Sequence, residues 1–343
     1  MNPSADLASR KQNKEITQVR TDSSGSLTRI VMENGSIRVV VVPSLGGKIA
    51  SIVNLATGRE FILQPRRKYT QPSYGSEFSQ FDRSGFDECF PTISKCTYPA
   101  DGLPSVRLPD HGEVWSVAWK HEIHGGDLWL ATEGVRLPYV FQKRLSLIGS
   151  SLQINYQVRN VGDRDFNFLW SAHPLLAAEE GMCIVLPREV RELFVNSSED
   201  ERIGRHGEVC TWPKAVTRTG NSVTLDKTEG PASRTAEKLF TSRVDEGRCG
   251  VFFPSTTEAL IFRFDPNEIP FIGLWICQGA WPSKQDGDFT VALEPCNGRP
   301  DSLEEAIARD ECATLCRLGQ NNWCLTIELA SGAQARNSLG ISE

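Results

Sequence analysis

The chain has 343 residues and a formal net charge of −6, with a pI near 5.6. That acidic balance disfavours nucleic acid and anionic membrane surfaces as partners, and no apolar run approaches the roughly 20 residues of a membrane-spanning helix. The length permits one large core or two ordinary domains, and no composition break marks a second.

Residues 1–25 are polar and carry no apolar segment of a secretory leader. They are expected as a flexible arm before a single domain over 26–331, with a flexible tail over 332–343. Strands are predicted at 28–32 and 36–43, joined at Glu33-Asn34-Gly35, an Asn-Gly turn signal. A strand at 48–53 follows Gly46-Gly47. Further strands are predicted at 113–123, 128–132, 139–147, 151–159, 167–172, 181–186, 192–195, 222–225, 239–242, 250–253, 259–264, 271–277, 289–294 and 323–329. The segments 141–147 and 152–158 alternate apolar and polar residues about Ile148-Gly149-Ser150, which reads as a hairpin. One helix is predicted, over 303–315, opened by Ser302 and Glu305 as a capping box. The stretches 99–109 and 227–237 read as irregular. Many short strands with turn punctuation predict an all-β fold, a large sandwich or barrel with few helices.

Ten cysteines are spread from Cys89 to Cys324 without a CxxC. Several sit within apolar runs and read as small buried hydrophobes, so a reduced, cytoplasmic protein without a zinc site is expected. No GxSxG elbow, GxGxxG or Walker loop, HExxH or EF-hand loop is present.

The candidate chemistry rests on a few ionisable groups placed where strands begin or end. Glu294 follows the apolar run 291–293 and precedes Pro295, which cannot donate to a sheet ladder. His173 closes Leu169-Trp170-Ser171-Ala172-His173-Pro174, and His111 stands before Gly112, ahead of a predicted strand. Each suits an acid or base at the lip of a cleft, and each equally suits a capped or salt-bridged strand end. His121, His124 and His206 lie in polar settings and read as solvated. Asp87 and Glu88 are adjacent acids in Gly85-Phe86-Asp87-Glu88-Cys89-Phe90-Pro91, an unusual context for a solvated face. Pairing Glu294 with Asp87 or Glu88 would suit a two-carboxylate glycosidase.

These residues carry a family resemblance. Val42-Pro43-Ser44-Leu45-Gly46-Gly47-Lys48-Ile49, the 85–93 stretch, Asp110-His111-Gly112-Glu113-Val114-Trp115, Ala172-His173-Pro174-Leu175-Leu176 and Ala292-Leu293-Glu294-Pro295 occur in the order found in the galactose mutarotase, or aldose 1-epimerase, superfamily. The chain resembles that group over about 27–329. The resemblance implies an antiparallel β-supersandwich with a carbohydrate cleft, a small-molecule sugar substrate, and interconversion of its α and β anomers without a metal or organic cofactor, by a monomer or homodimer. It implies Glu294 as catalytic base, His173 as catalytic acid in its protonated form, and His111 as the histidine that holds sugar oxygens. Asp87, Glu88 and Trp275 would be sugar contacts. This chain has His111-Gly112-Glu113 where the galactose enzymes carry His-Gly-Gly, which adds Glu113 as a charge disfavouring a phosphorylated sugar, while Arg136 and Arg107 would do the opposite if they point inward. Two other readings of the same cleft are a non-catalytic sugar-binding protein and a polysaccharide hydrolase or lyase.

Overall fold

The computed structural model describes residues 16–23, 25, 27–99 and 106–341. The predicted all-β class is observed. Among the described residues, twelve strands form one antiparallel sheet and eight form another, and buried side chains from both, such as Val39 and Leu293 from the first and Phe141 and Ile327 from the second, share one apolar cluster. The alternation read in the sequence is what builds the eight-stranded sheet. Tyr139–Ile148 and Ser151–Asn160 pair residue for residue, and their buried positions recur every second residue, as a pleated strand with one core face requires. The Asn34 turn also forms: Asn34 Oδ1 accepts the amides of Ser36 at 2.8 Å and Ile37 at 3.0 Å, the side chain replacing a backbone acceptor.

The large sheet positions the site. Its central order is Phe86–Cys89, Ser171–Pro174, Phe289–Cys296, Phe271–Gln278, Thr235–Phe240 and Glu192–Ser198. The central strands are buried on both faces, so polar residues on them must find partners inside the protein.

Several expectations are corrected. Paired and packed structure begins before 26 and extends past 331: Gln18–Asp22 pairs with Arg29–Glu33, and Ala333–Leu339 forms a helix whose Ala335 and Leu339 pack on Phe252, Ala259 and Ile261. The helix predicted over 303–315 is only Leu303–Ala308. Ser302 caps it as expected, accepting the Glu305 amide at 3.5 Å, but Asp310 turns to φ +56° and Ala313–Leu315 pairs with Phe166–Phe168 instead. The strand predicted over 113–123 is a short 3-10 turn at Val114–Ser116 and a strand at Lys120–His124. Residues 100–105 of the stretch 99–109 lie outside the described residues, and its flanks pair as Cys96–Tyr98 with Val106–Leu108. The ten cysteines form no disulfide, and no helix among the described residues is long and apolar enough to cross a membrane.

Candidate active site

A cavity of about 310 Å³ opens on the outer face of the large sheet. Its wall includes His111, His173, Lys238, Trp275, Glu294 and Asp301, and its size lies at the lower end of the range for small-molecule sites. Cross-strand register explains why these side chains converge. Glu294 pairs with Gly273, and Ala292 with Trp275. Trp275 pairs in turn with Lys238 on the next strand, and His173 pairs with Asp87 on the other side. Directly paired residues share a face, so Glu294, Trp275, Lys238, His173 and Asp87 all point outward from the core. Gly273 leaves room for the carboxylate: a Cβ there would stand 3.2 Å from Glu294 Cβ and 3.3 Å from Oε2.

Glu294 is not at the strand end. Its strand runs on through Pro295 to Cys296, which makes the carboxylate fully buried. The Lys238 ammonium donates to its Oε2, and Ser171 Oγ donates to the same oxygen at 3.4 Å. Oε1 has no hydrogen-bond partner in the protein. Burial pushes the carboxyl pKa above its ordinary value; Lys238 opposes the rise and Asp301 adds to it.

The two imidazoles lie edge to face, with ring centres 4.8 Å apart. Phe78 holds both, stacked on His111 at 4.2 Å and edge-on to His173 at 5.3 Å. Asp110 fixes this group: its Oδ2 accepts the Phe78 amide at 3.0 Å, and its Oδ1 lies 3.1 Å from His111 Nδ1. His111 itself has φ +58°, a conformation costly for a residue with a side chain and often found at functional sites. Gly112 after it has φ +73°, and a Cβ there would lie 2.2 Å from the Phe90 carbonyl oxygen. No other residue allows this approach, which pins His111 against the sheet through His111 N to Ile93 O and Glu113 N to Phe90 O.

Burial opposes the imidazolium expected at His173. Burial holds its pKa well below the usual histidine value, and the nearby His111, Lys238 and Lys48 act in the same direction. These effects favour a neutral resting ring, and its Nδ1 has no protein partner.

The remaining candidates divide. Trp275 lines the cavity, beside Trp281 at 5.8 Å. Asp87 is on the cavity side of the sheet, but it is buried behind the wall and ion-paired to Lys48. Burial pushes its pKa up to about 6 despite Lys48. Glu88 points the opposite way, as strand alternation demands of a neighbour, and accepts from Lys143, Tyr156 and Trp170 in the core. Glu113 and Arg136 do not line the cavity either. The Glu113 carboxylate is consumed by the hydroxyls of Tyr74 and Tyr139 and the amides of Val135 and Arg136, while the Arg136 guanidinium lies over Tyr74 at 5.9 Å. A Glu294–Glu88 glycosidase pair is therefore excluded. Sequence reasoning missed Lys238, Asp301, Asp110 and Phe78. Among the described residues, no three His, Cys, Asp or Glu side chains gather in a metal-binding cluster.

No family model and no curated protein sequence matches the chain. Solved structures do. A galactose mutarotase-like protein from Lactobacillus casei is 16% identical, with a TM-score of 0.66 over 88% of this chain and 100% of its own. A candidate aldose 1-epimerase from Escherichia coli K12 is 15% identical, with a TM-score of 0.65 over 92% of this chain and 100% of its own. Another from Klebsiella pneumoniae is 12% identical, with a TM-score of 0.68 over 94% of this chain and 86% of its own. The chain has the galactose mutarotase-like fold, as the motif order implied.

Proposed function

We propose that the protein is a cofactor-independent aldose 1-epimerase that interconverts the α and β anomers of a neutral sugar. The observation that carries the reading is the buried Glu294 carboxylate, with one oxygen unpartnered, in a cavity shared with two histidines and Trp275. Mutarotation needs the O1 proton removed while the ring oxygen departs from C1 and gains a proton. Glu294 takes the O1 proton. The departing ring oxygen becomes an alkoxide, basic enough to draw a proton from the N–H of a neutral imidazole, and His173 supplies it. Rotation about C1–C2 and reversal of both transfers close the other anomer. His111, held by Asp110, bonds sugar hydroxyls, and Trp275 offers an indole face to the pyranose. On the cavity wall the carboxylates of Glu294 and Asp301 outnumber the Lys238 ammonium between them, a balance that favours a neutral sugar over its phosphate.

Polarimetry of freshly dissolved single anomers across a panel of aldoses and their 6-phosphates tests the proposal. Neutral aldoses should mutarotate faster in proportion to protein, and acceleration of none of them would refute the reading. The pH dependence follows from the pKa directions. Glu294 must be ionised and its pKa is raised, so kcat/KM should climb with pH through a limb above the ordinary Glu value of about 4.3. His173 works neutral and its pKa is depressed, so kcat/KM should then stay level through pH ~8. A decline through about 6.5 would show that an imidazolium is needed after all.

A further inference from the structure

We propose that Lys238 is a positioning residue for Glu294, and that its ammonium passes from the Glu294 carboxylate to Asp301 as Glu294 takes up the substrate's proton. This rests on the reading of Glu294 as the base. The Lys238 side chain is 8% exposed, and its ammonium lies between two carboxylates: it donates to Glu294 Oε2 and stands 3.5 Å from Asp301 Oδ1. Asp301 is held on its other side. Its Oδ2 accepts Asn196 Nδ2 at 2.9 Å, and its carbonyl accepts the amides of Ile93 and Ser94 at 3.1 and 2.8 Å. Oδ1 alone has no hydrogen bond. It is already within ion-pair distance of the ammonium but accepts no hydrogen bond from it.

The charge balance explains the arrangement. Without Lys238, the fully buried Glu294 carboxylate would face the half-buried Asp301 carboxylate with no cation between them, which favours the protonated form of Glu294. With Lys238 in place, its ammonium offsets one of the trio's two carboxylate charges. When Glu294 gains the O1 proton its bond to Lys238 loses its charge, and a buried ammonium without an anion is costly. Asp301 Oδ1 then takes the bond. Lys238 keeps all three of its protons throughout, and the trio becomes neutral. The other groups facing Glu294 are Ser171, His111 and the thiols of Cys89 and Cys296, with His173 and Asp87 on the adjoining strands. Burial raises both thiols, Cys296 to about 12, so neither competes for the charge.

The test titrates the Glu294 carboxyl directly, by ¹³C NMR of the full chain labelled at glutamate, with the signal identified by its loss in Glu294→Gln. Lys238→Met should raise the Glu294 midpoint by about one pH unit or more, Lys238→Arg should restore it, and Asp301→Asn should lower it. The acid limb of kcat/KM should move with each. A side chain that only filled space would not give shifts of opposite sign. An unmoved midpoint in Lys238→Met, or shifts of the same sign in Lys238→Met and Asp301→Asn, overturns the inference. Should Lys238→Met fail to fold, Asp301→Asn decides, since an absent or upward shift there also contradicts it. The titration needs no turnover, so a wild-type protein that exchanges no anomers refutes the base role of Glu294 separately from the coupling to Lys238.

Discussion

Glu294→Gln is expected to slow anomer exchange by about 10²- to 10⁴-fold, the range typical of a positioned general base, while leaving the fold intact. The amide has the shape of the carboxylate, so the Gly273 recess and the contact with Ser171 survive. Its oxygen still accepts from Lys238, whose charge Asp301 then neutralises from 3.5 Å. What is lost is the capacity to take a proton, so the effect should fall on kcat with sugar binding retained. Full activity in this variant, measured by polarimetry beside the wild type, would contradict the assignment. Binding without exchange in both would favour a sugar-binding protein on the same scaffold.

The largest expected loss of stability comes from a pair with no part in the chemistry. Lys143 and Glu88 are both 0% exposed, with Nζ and Oε1 3.0 Å apart, and Tyr156 and Trp170 donate to the same carboxylate at 2.9 and 3.0 Å. Lys143→Met leaves that carboxylate buried without its counterion and should cost about 3–5 kcal/mol. Glu88→Met strands the ammonium and should cost a similar amount. The double variant removes both charges and leaves only the Tyr156 hydroxyl and the Trp170 N–H unsatisfied, at about 1–3 kcal/mol each. It should therefore cost clearly less than the two single losses added together. Urea denaturation of the four proteins checks this, and strict additivity would show that the two charges do not interact.

Glu88 also shows why the site was only partly legible in the sequence. Asp87 and Glu88 are neighbours on a strand, so they must point to opposite faces, but which one faces the core depends on register against Ser171–Pro174. Register is a long-range fact that the local sequence does not contain. Glu113 misled for a related reason: two tyrosine hydroxyls and two amides distant in sequence converge on it. His111, His173 and Glu294 were readable because each is an ionisable group followed directly by a Gly or Pro, at Gly112, Pro174 and Pro295, although the strand of Glu294 runs on past Pro295. Lys238 was missed because the strand was expected to begin at 239. The signal was present in the alternation of Ala236, Lys238 and Phe240 with Glu237, Leu239 and Thr241, but a charged residue at a buried position reads as solvated until its partners, Glu294 and Asp301, are seen. The helix over 303–315 was cut short by pairing with Phe166–Phe168, a tertiary contact overriding a local preference.

The most direct test of the central claim is equilibrium exchange NMR between the α and β C1–H signals of a neutral aldose in D₂O. Reaction through ring opening predicts exchange between the two signals at a rate proportional to protein concentration, with the hydrogens at C1 and C2 retained. Sugar signals that broaden or shift on binding without α–β exchange, or deuterium entering at C2, would contradict it.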